Sequence, residues 1–290
     1  MDKIDRNYEL VYIKDSGLDT EKSLSVKLPF TIEMNITRTN FSSSNIGNVR
    51  IYNLSKTQRN FMRKDWKNRS LRDRLVLSAG YGGNLTEILN MHVSKAFSIR
   101  QGVNFITQID CIDGGYAYLN SKIEASYPAG TTKQSMIEDQ ASKLGDFGVS
   151  KGAIGNYPGT IKRQQSFVGN TLEALKETIA GDIFIDNSKV NILKKSEAIK
   201  GTPLKINAKA GLLSTPVRQD TYVEFEIIFE PQISIGRLIE LESITGDSDV
   251  NQLYVVNYLS HRGTFSESVK GSVVTKVGCT PGDFLQIEAN

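Results

Sequence analysis

The sequence predicts a mainly β protein with an α+β insert, in which two similar β-barrel domains flank a small α+β module. Three observations point there. Apolar and polar residues alternate with period two at both ends of the 290-residue chain, the mark of half-buried strands. Between about 116 and 202 the apolar spacing changes to that of helices. The two ends also share an order of features: a strand, a Gly/Asn/Asp turn, a strand, and a last strand closing near a cysteine, Cys111 in one and Cys279 in the other. The expected units are 1–115, 116–202 and 203–290, and an internal duplication follows from the likeness of the outer two. A chain of this length suits two or three units at about 100–200 residues each.

In the first unit, Phe30, Ile32, Met34 and Ile36 alternate along one strand and 49–54 repeats the pattern. Ser55 and Gln58 are spaced as a capping box, which predicts a short helix from about 56 to 65. Leu75 to Tyr81 is a strand, and Gly82-Gly83-Asn84 supplies a tight turn. Strands near 86–100 and 103–112 close the unit, with Val103, Phe105, Ile109 and Cys111 pointing inward. In the second unit Thr131 and Gln134 form another capping-box candidate. Ile137, Ala141 and Leu144 share a helix face, and Gly145 stands at its end. A Gly-rich connection runs to about 168. Asn170 caps a second helix with Leu172, Leu175 and Ile179 on one face, ended by Gly181. Asp182–Asp186 and Lys189–Leu193 around Asn187-Ser188 read as a hairpin. In the third unit Tyr222, Val223, Phe225, Ile227 and Phe229 give a strand stopped by Pro231. Leu238–Ile244, a turn at 246–249, Leu253–His261 and Val269–Cys279 follow, with Gly263 in the last connection.

Composition argues against chemistry. Two cysteines exclude a disulfide-rich scaffold and a four-cysteine zinc site. His92 and His261, the only histidines, have no second ligand at metal spacing. Neither a dinucleotide fingerprint nor a P-loop occurs, because Gly80-Tyr81-Gly82-Gly83-Asn84 sits between strands and opens no helix. No Gly-x-Ser-x-Gly elbow or His-Glu-x-x-His is present. No apolar run reaches the ~18 residues of a membrane span, and the charged start argues against a cleaved signal peptide. No catalytic, cofactor or metal residue is expected.

Charge is unevenly spread. Lys and Arg outnumber Asp and Glu 17 to 12 over 1–115 and 11 to 9 over 116–202, and fall behind 7 to 11 over 203–290. Opposite signs at the two ends suit surfaces that meet across a subunit boundary. The sharpest run holds Lys56, Arg59, Arg63, Lys64, Lys67, Arg69, Arg72 and Arg74. It reads as a solvated helix face, as a phosphate track, or as a dock for an acidic protein. Glu224 and Glu226 share one strand face opposite Phe225 and Ile227, which makes that face the wet side. The candidate interface is therefore Arg59, Arg63, Lys64, Lys67, Arg69, Glu224 and Glu226. Two alternatives stay open: a carbohydrate- or peptidoglycan-binding protein presenting Tyr157 and Phe167, and a hydrolase using Glu224 or the pair Asp182 and Asp186.

The stretch Ile51-Tyr52-Asn53-Leu54-Ser55, the helix after it, the strand ending Ala79-Gly80-Tyr81, and Ile109-Asp110-Cys111-Ile112-Asp113-Gly114 resemble the hub proteins of contractile-tail baseplates in myophages and related injection machines. The resemblance spans most of the chain and implies a non-enzymatic structural adapter. In it a homotrimer presents two barrels per chain as a pseudo-sixfold ring, joins the trimeric central spike to the hexameric tail tube, and leaves a lumen for DNA passage. It further implies partners in the spike, the tail tube protein or tube-initiator and other baseplate proteins, with transient contact with genomic DNA and no membrane insertion. The place implied is the virion tail baseplate, assembled in the host cytoplasm. Appended domains such as a lysozyme are not expected in so compact a chain.

Overall fold

The computed structural model describes residues 5–15, 22–41, 44–64, 72–179, 181–220, 222–243, 250–267 and 271–289. The first part of the chain forms β1 (Arg6–Lys14), β2 (Lys22–Lys27), β3 (Ile32–Thr39), β4 (Ile46–Tyr52), α1 (Lys56–Met62), β5 (Arg74–Tyr81), β6 (Asn84–Gln101) and β7 (Asn104–Ile112). The middle forms α2 (Gly115–Asn120), β8 (Ile123–Tyr127), α3 (Lys133–Ser142), a 3₁₀ turn (Lys143–Phe147), β9 (Ser150–Ile154), β10 (Gln165–Gly169), α4 (Thr171–Thr178), β11 (Asp182–Asp186) and β12 (Lys189–Leu193). The last part forms β13 (Glu197–Ile206), β14 (Val217–Gln219), β15 (Tyr222–Ile228), β16 (Arg237–Leu241), β17 (Leu253–Phe265), β18 (Val273–Pro281) and β19 (Leu285–Ile287).

The fold is mainly β, as expected, but its outer strands belong to a single 14-stranded sheet. The join is β3, which pairs β4 on one side and β17 on the other. No closed barrel is found among the described residues. Within the sheet one order occurs twice. Strands β3–β4–β7–β6–β5 are neighbours in that order, all antiparallel. Strands β14–β15–β18–β17–β16 are neighbours in the same order, again all antiparallel. The cysteines mark the equivalence. Cys111 lies opposite Val93, and the ladder slips between Val93 and Lys95. Cys279 lies opposite Val256, and the ladder slips between Val256 and Tyr258.

Hydrophobic packing follows the chain. Residues from Tyr8 to Cys111 form one cluster, joined by Phe229, Phe265 and Val273. Residues from Ile199 to Cys279 form a second, joined by Ala153, Phe184 and Leu193. The middle segment has its own, around Ile137, Leu144, Leu175 and Val190. Phe229 stitches the first two: its ring meets Phe265 and His261 edge-on at 5.5 Å and lies 6.0 Å from Tyr81.

Several local expectations need correction. Thr131 does not cap α3, because its hydroxyl and N–H both donate to the Pro128 carbonyl. Thr132 caps instead, accepting from Ser135 N, and the Gln134 side chain turns to Glu138 and to Tyr157 N. Gly145 lies inside the 3₁₀ turn, and the left-handed stop is Gly148, at φ 77°. Helix α4 ends at Thr178 and not at Gly181, its cap Ile179 donating to the Leu175 carbonyl. The Gly-rich connection contains β9, parallel to β12, and β10, paired with β8. Val103 is 87% exposed, since it falls in the β6–β7 turn. Gly263 lies within β17, where a Cβ would stand 2.1 Å from the Ser272 carbonyl oxygen. The turn expected at 246–249 lies outside the described residues. The β11–β12 hairpin forms as expected, with Asn187 and Ser188 at φ 50° and 57°, the pattern of a type I′ turn.

Candidate interaction surfaces

Helix α1 places the first group of charges. Its capping box forms: Gln58 N donates to Ser55 Oγ (3.2 Å) and Ser55 N donates to Gln58 Oε1 (3.0 Å). Buried Met62 pins the helix to the first cluster, so the opposite face turns outward. Between this face and β6 lies a groove of about 480 Å³ lined by Lys56, Arg59, Arg63 and Lys64, with Ala96 and Phe97 along its floor. Among the described residues no acidic side chain lines it. The Arg59 guanidinium stacks on Phe105, 3.8 Å from the ring centre, which orients it at little entropic cost. Lys64 turns inward, its ammonium donating to the Val93 carbonyl, and burial holds its pKa below the ordinary lysine range although Asp73 pulls it up. Lys67 and Arg69 lie outside the described residues.

The second group sits on β15, where Val223, Phe225 and Ile227 face the core and Glu224 and Glu226 face out. Glu224 lies 2.8 Å from the Lys276 ammonium of β18, and Glu226 lies 2.7 Å from the Arg262 guanidinium of β17. Both carboxylates are therefore matched within their own chain, and the structure does not bring them to the basic groove.

His92 is buried, and burial, with Arg74 and Lys64 adding, pushes its pKa down to about 4. His261 is buried against Thr275, Nδ1 to Oγ1 3.0 Å, and is pushed well down, chiefly by burial. Both cysteines are buried free thiols. Among the described residues no group of three His, Cys, Asp or Glu side chains is placed to hold a metal ion. No helix among them is long and apolar enough to cross a membrane. Asp182 is exposed at one end of β11 and Asp186 buried at the other, so they do not form a pair.

The polar residues that sequence reasoning missed lie where the three chain segments meet. Arg38, 1% exposed, places Nη1 3.3 Å from both carboxylate oxygens of Asp186 and Nη2 3.4 Å from the Ile233 carbonyl. A signal was present: Arg38 is in phase with Ile32, Met34 and Ile36 on β3, hence on the core face.

A family model described as baseplate hub gp41 matches residues 14–264. No curated protein matches. The 43 kDa tail protein of prophage MuSo2 from Shewanella oneidensis superimposes with a TM-score of 0.59 at 9% identity, covering 94% of this chain and 96% of that one. A tail protein from Neisseria meningitidis gives 0.57 at 7% identity, with the same coverage of 94% and 96%. The Escherichia coli c3393 protein gives 0.59 at 9% identity, over 94% of this chain and 76% of that one. That protein is described as a type VI secretion component similar in structure to the T4 tail proteins gp27 and gp5. At these identities the likeness is one of fold.

Proposed function

As the chain belongs to the baseplate hub gp41 family, and is thus a structural component of a phage tail baseplate, we propose that it works as a symmetry adapter. Three copies close into a ring, each giving two similar β units, 1–115 and 203–290, with 116–202 as an outer module. The ring is threefold by chain and near sixfold by unit. It seats a trimeric spike on one side and a hexameric tube on the other, and its opening passes DNA. The observation that carries this reading is the repeated order β3–β4–β7–β6–β5 and β14–β15–β18–β17–β16. Two equivalent strand sets in one chain are what a threefold body needs to meet a sixfold one. The groove at Arg59, Arg63 and Lys64, together with the cations Lys67 and Arg69 that follow in the sequence, is the proposed contact for an acidic neighbour, with Glu224 and Glu226 as its counterparts on the opposite unit. The test is the mass of the full chain in solution across salt concentrations, alone and with the spike protein. The expected result is three times 32.2 kDa, alone or once the spike is added, with assembly weakening as salt rises. A persistent monomer that binds no tail component overturns the reading.

A further inference from the structure

The turn at Asn187-Ser188, at the tip of the β11–β12 hairpin, is held by residues from four other parts of the chain. Asn45 Nδ2, from the β3–β4 connection, donates to the Ile185 carbonyl at 2.7 Å. Asn90 of β6 donates its N–H to Asn187 Oδ1 (3.2 Å), and its carbonyl accepts from Ser188 Oγ (2.9 Å). Asp113, just after β7, accepts the Ser188 N–H on Oδ1 at 2.9 Å. Arg38 of β3 holds Asp186, the residue before the turn, and also reaches the Ile233 carbonyl of the third segment.

The charges of this junction do not balance. Asp113 is 0% exposed, and its Oδ2 is buried without a hydrogen-bond partner. The charged groups that act on it are the Asp186 carboxylate from β11 and the Arg38 guanidinium from β3. Tyr118 of α2 and Cys111 of β7 are also within reach of its charge, both as neutral groups. His261 of β17 faces Arg38 and is held neutral by its burial. A single guanidinium thus serves two buried carboxylates, and two like charges in such a site cannot both be ionised cheaply. We propose that this turn is a proton-operated latch: a protonated Asp113 locks the middle module onto the outer strands, and ionised Asp113 loosens it.

Burial first, then Asp186, pushes the Asp113 carboxyl up from 3.8 to about 7. In an opened state the carboxyl is solvated and returns toward 3.8. The raised value means that the locked state binds the proton more tightly than the open one. Locking is therefore strongest below about pH 4, is lost progressively as the pH rises, and stops changing above about pH 7. The experiment is native-state hydrogen exchange on the full chain from pH 4 to 8, corrected for intrinsic exchange. Protection at the Ser188 and Asn90 amides is expected to fall by roughly tenfold per pH unit up to about 7 and then level off, while the Leu77 amide in the first cluster holds steady. In Asp113→Asn the same two amides lose that pH dependence. Should the variant fail to fold, the wild-type profile decides alone. Protection that is flat with pH, a slope that survives in Asp113→Asn, or Ser188 and Leu77 falling together overturns the latch.

Discussion

The two five-strand sets pair in the same order but are connected differently. Between its second and third strands the first set runs outward through α1, whose outer face carries Lys56 and Arg59, with Arg63 as the residue that caps its end. The same link in the second set, 229–236, folds inward. It buries Phe229, Ile233 and Ile235 and offers the Ile233 carbonyl to Arg38. The outermost neighbours differ as well: β1 lies antiparallel to β5, while β13 lies parallel to β16. The ladder is therefore the shared part, set by alternation along each strand, and the links are free to specialise. One link builds a charged surface and the other cements the two sets together.

The largest expected effect tests the cementing link. Phe229→Ala deletes a fully buried ring with three ring contacts and is expected to cost about 3–5 kcal/mol. Denaturant unfolding measures it. A cost under about 1 kcal/mol would remove Phe229 from that role. A second comparison uses equivalent strands. Leu77 of β5 and Ile239 of β16 are both buried, in the first and second clusters respectively. Leu77→Ala and Ile239→Ala are each expected to cost about 2–5 kcal/mol. Because the residues sit in separate clusters, the double variant is expected to be additive within about 0.5 kcal/mol. Strong coupling between them would mean that the two sets share one core.

How much of this was readable in advance depended on the range of the interaction. The capping box at Ser55 and Gln58 and the turn at Asn187-Ser188 are local, and both formed where the residues indicated. The strands around Ile36 and Phe225 declared themselves by alternation. Strand β1 carries the same alternation at Tyr8, Leu10 and Tyr12, but it was not among the expected strands, which began at Phe30. The pairing of β3 with β17 left no local trace, because its partners are separated by more than 200 residues, as Ile36 and His261 are. The groove was half readable: the run of cations was plain, while the inward turn of Lys64 and the stacking of Arg59 on Phe105 depend on where β6 and β7 lie. The Arg38–Asp186 contact needed both the phase of β3 and the position of a hairpin nearly 150 residues away.

The smallest expected effect separates the charges of the two sets. Glu226 pairs with Arg262 across β15 and β17 at 2.7 Å, with the arginine side chain 60% exposed. An ion pair in that setting is worth about 0.2–1 kcal/mol and is screened by salt. Glu226→Gln is therefore expected to lower stability by no more than that at low ionic strength and by nothing measurable near 1 M salt, because the strand itself is held by Phe225 and Ile227 on its other face. A larger, salt-insensitive loss in the isolated chain would mean that this outer face supports the fold. If instead Glu226→Gln leaves the isolated chain unchanged but weakens self-association, the carboxylate exchanges its own Arg262 for a cation on a neighbouring copy. That outcome would make the outer face of β15 a subunit contact whose charges are held in reserve by their intrachain partners.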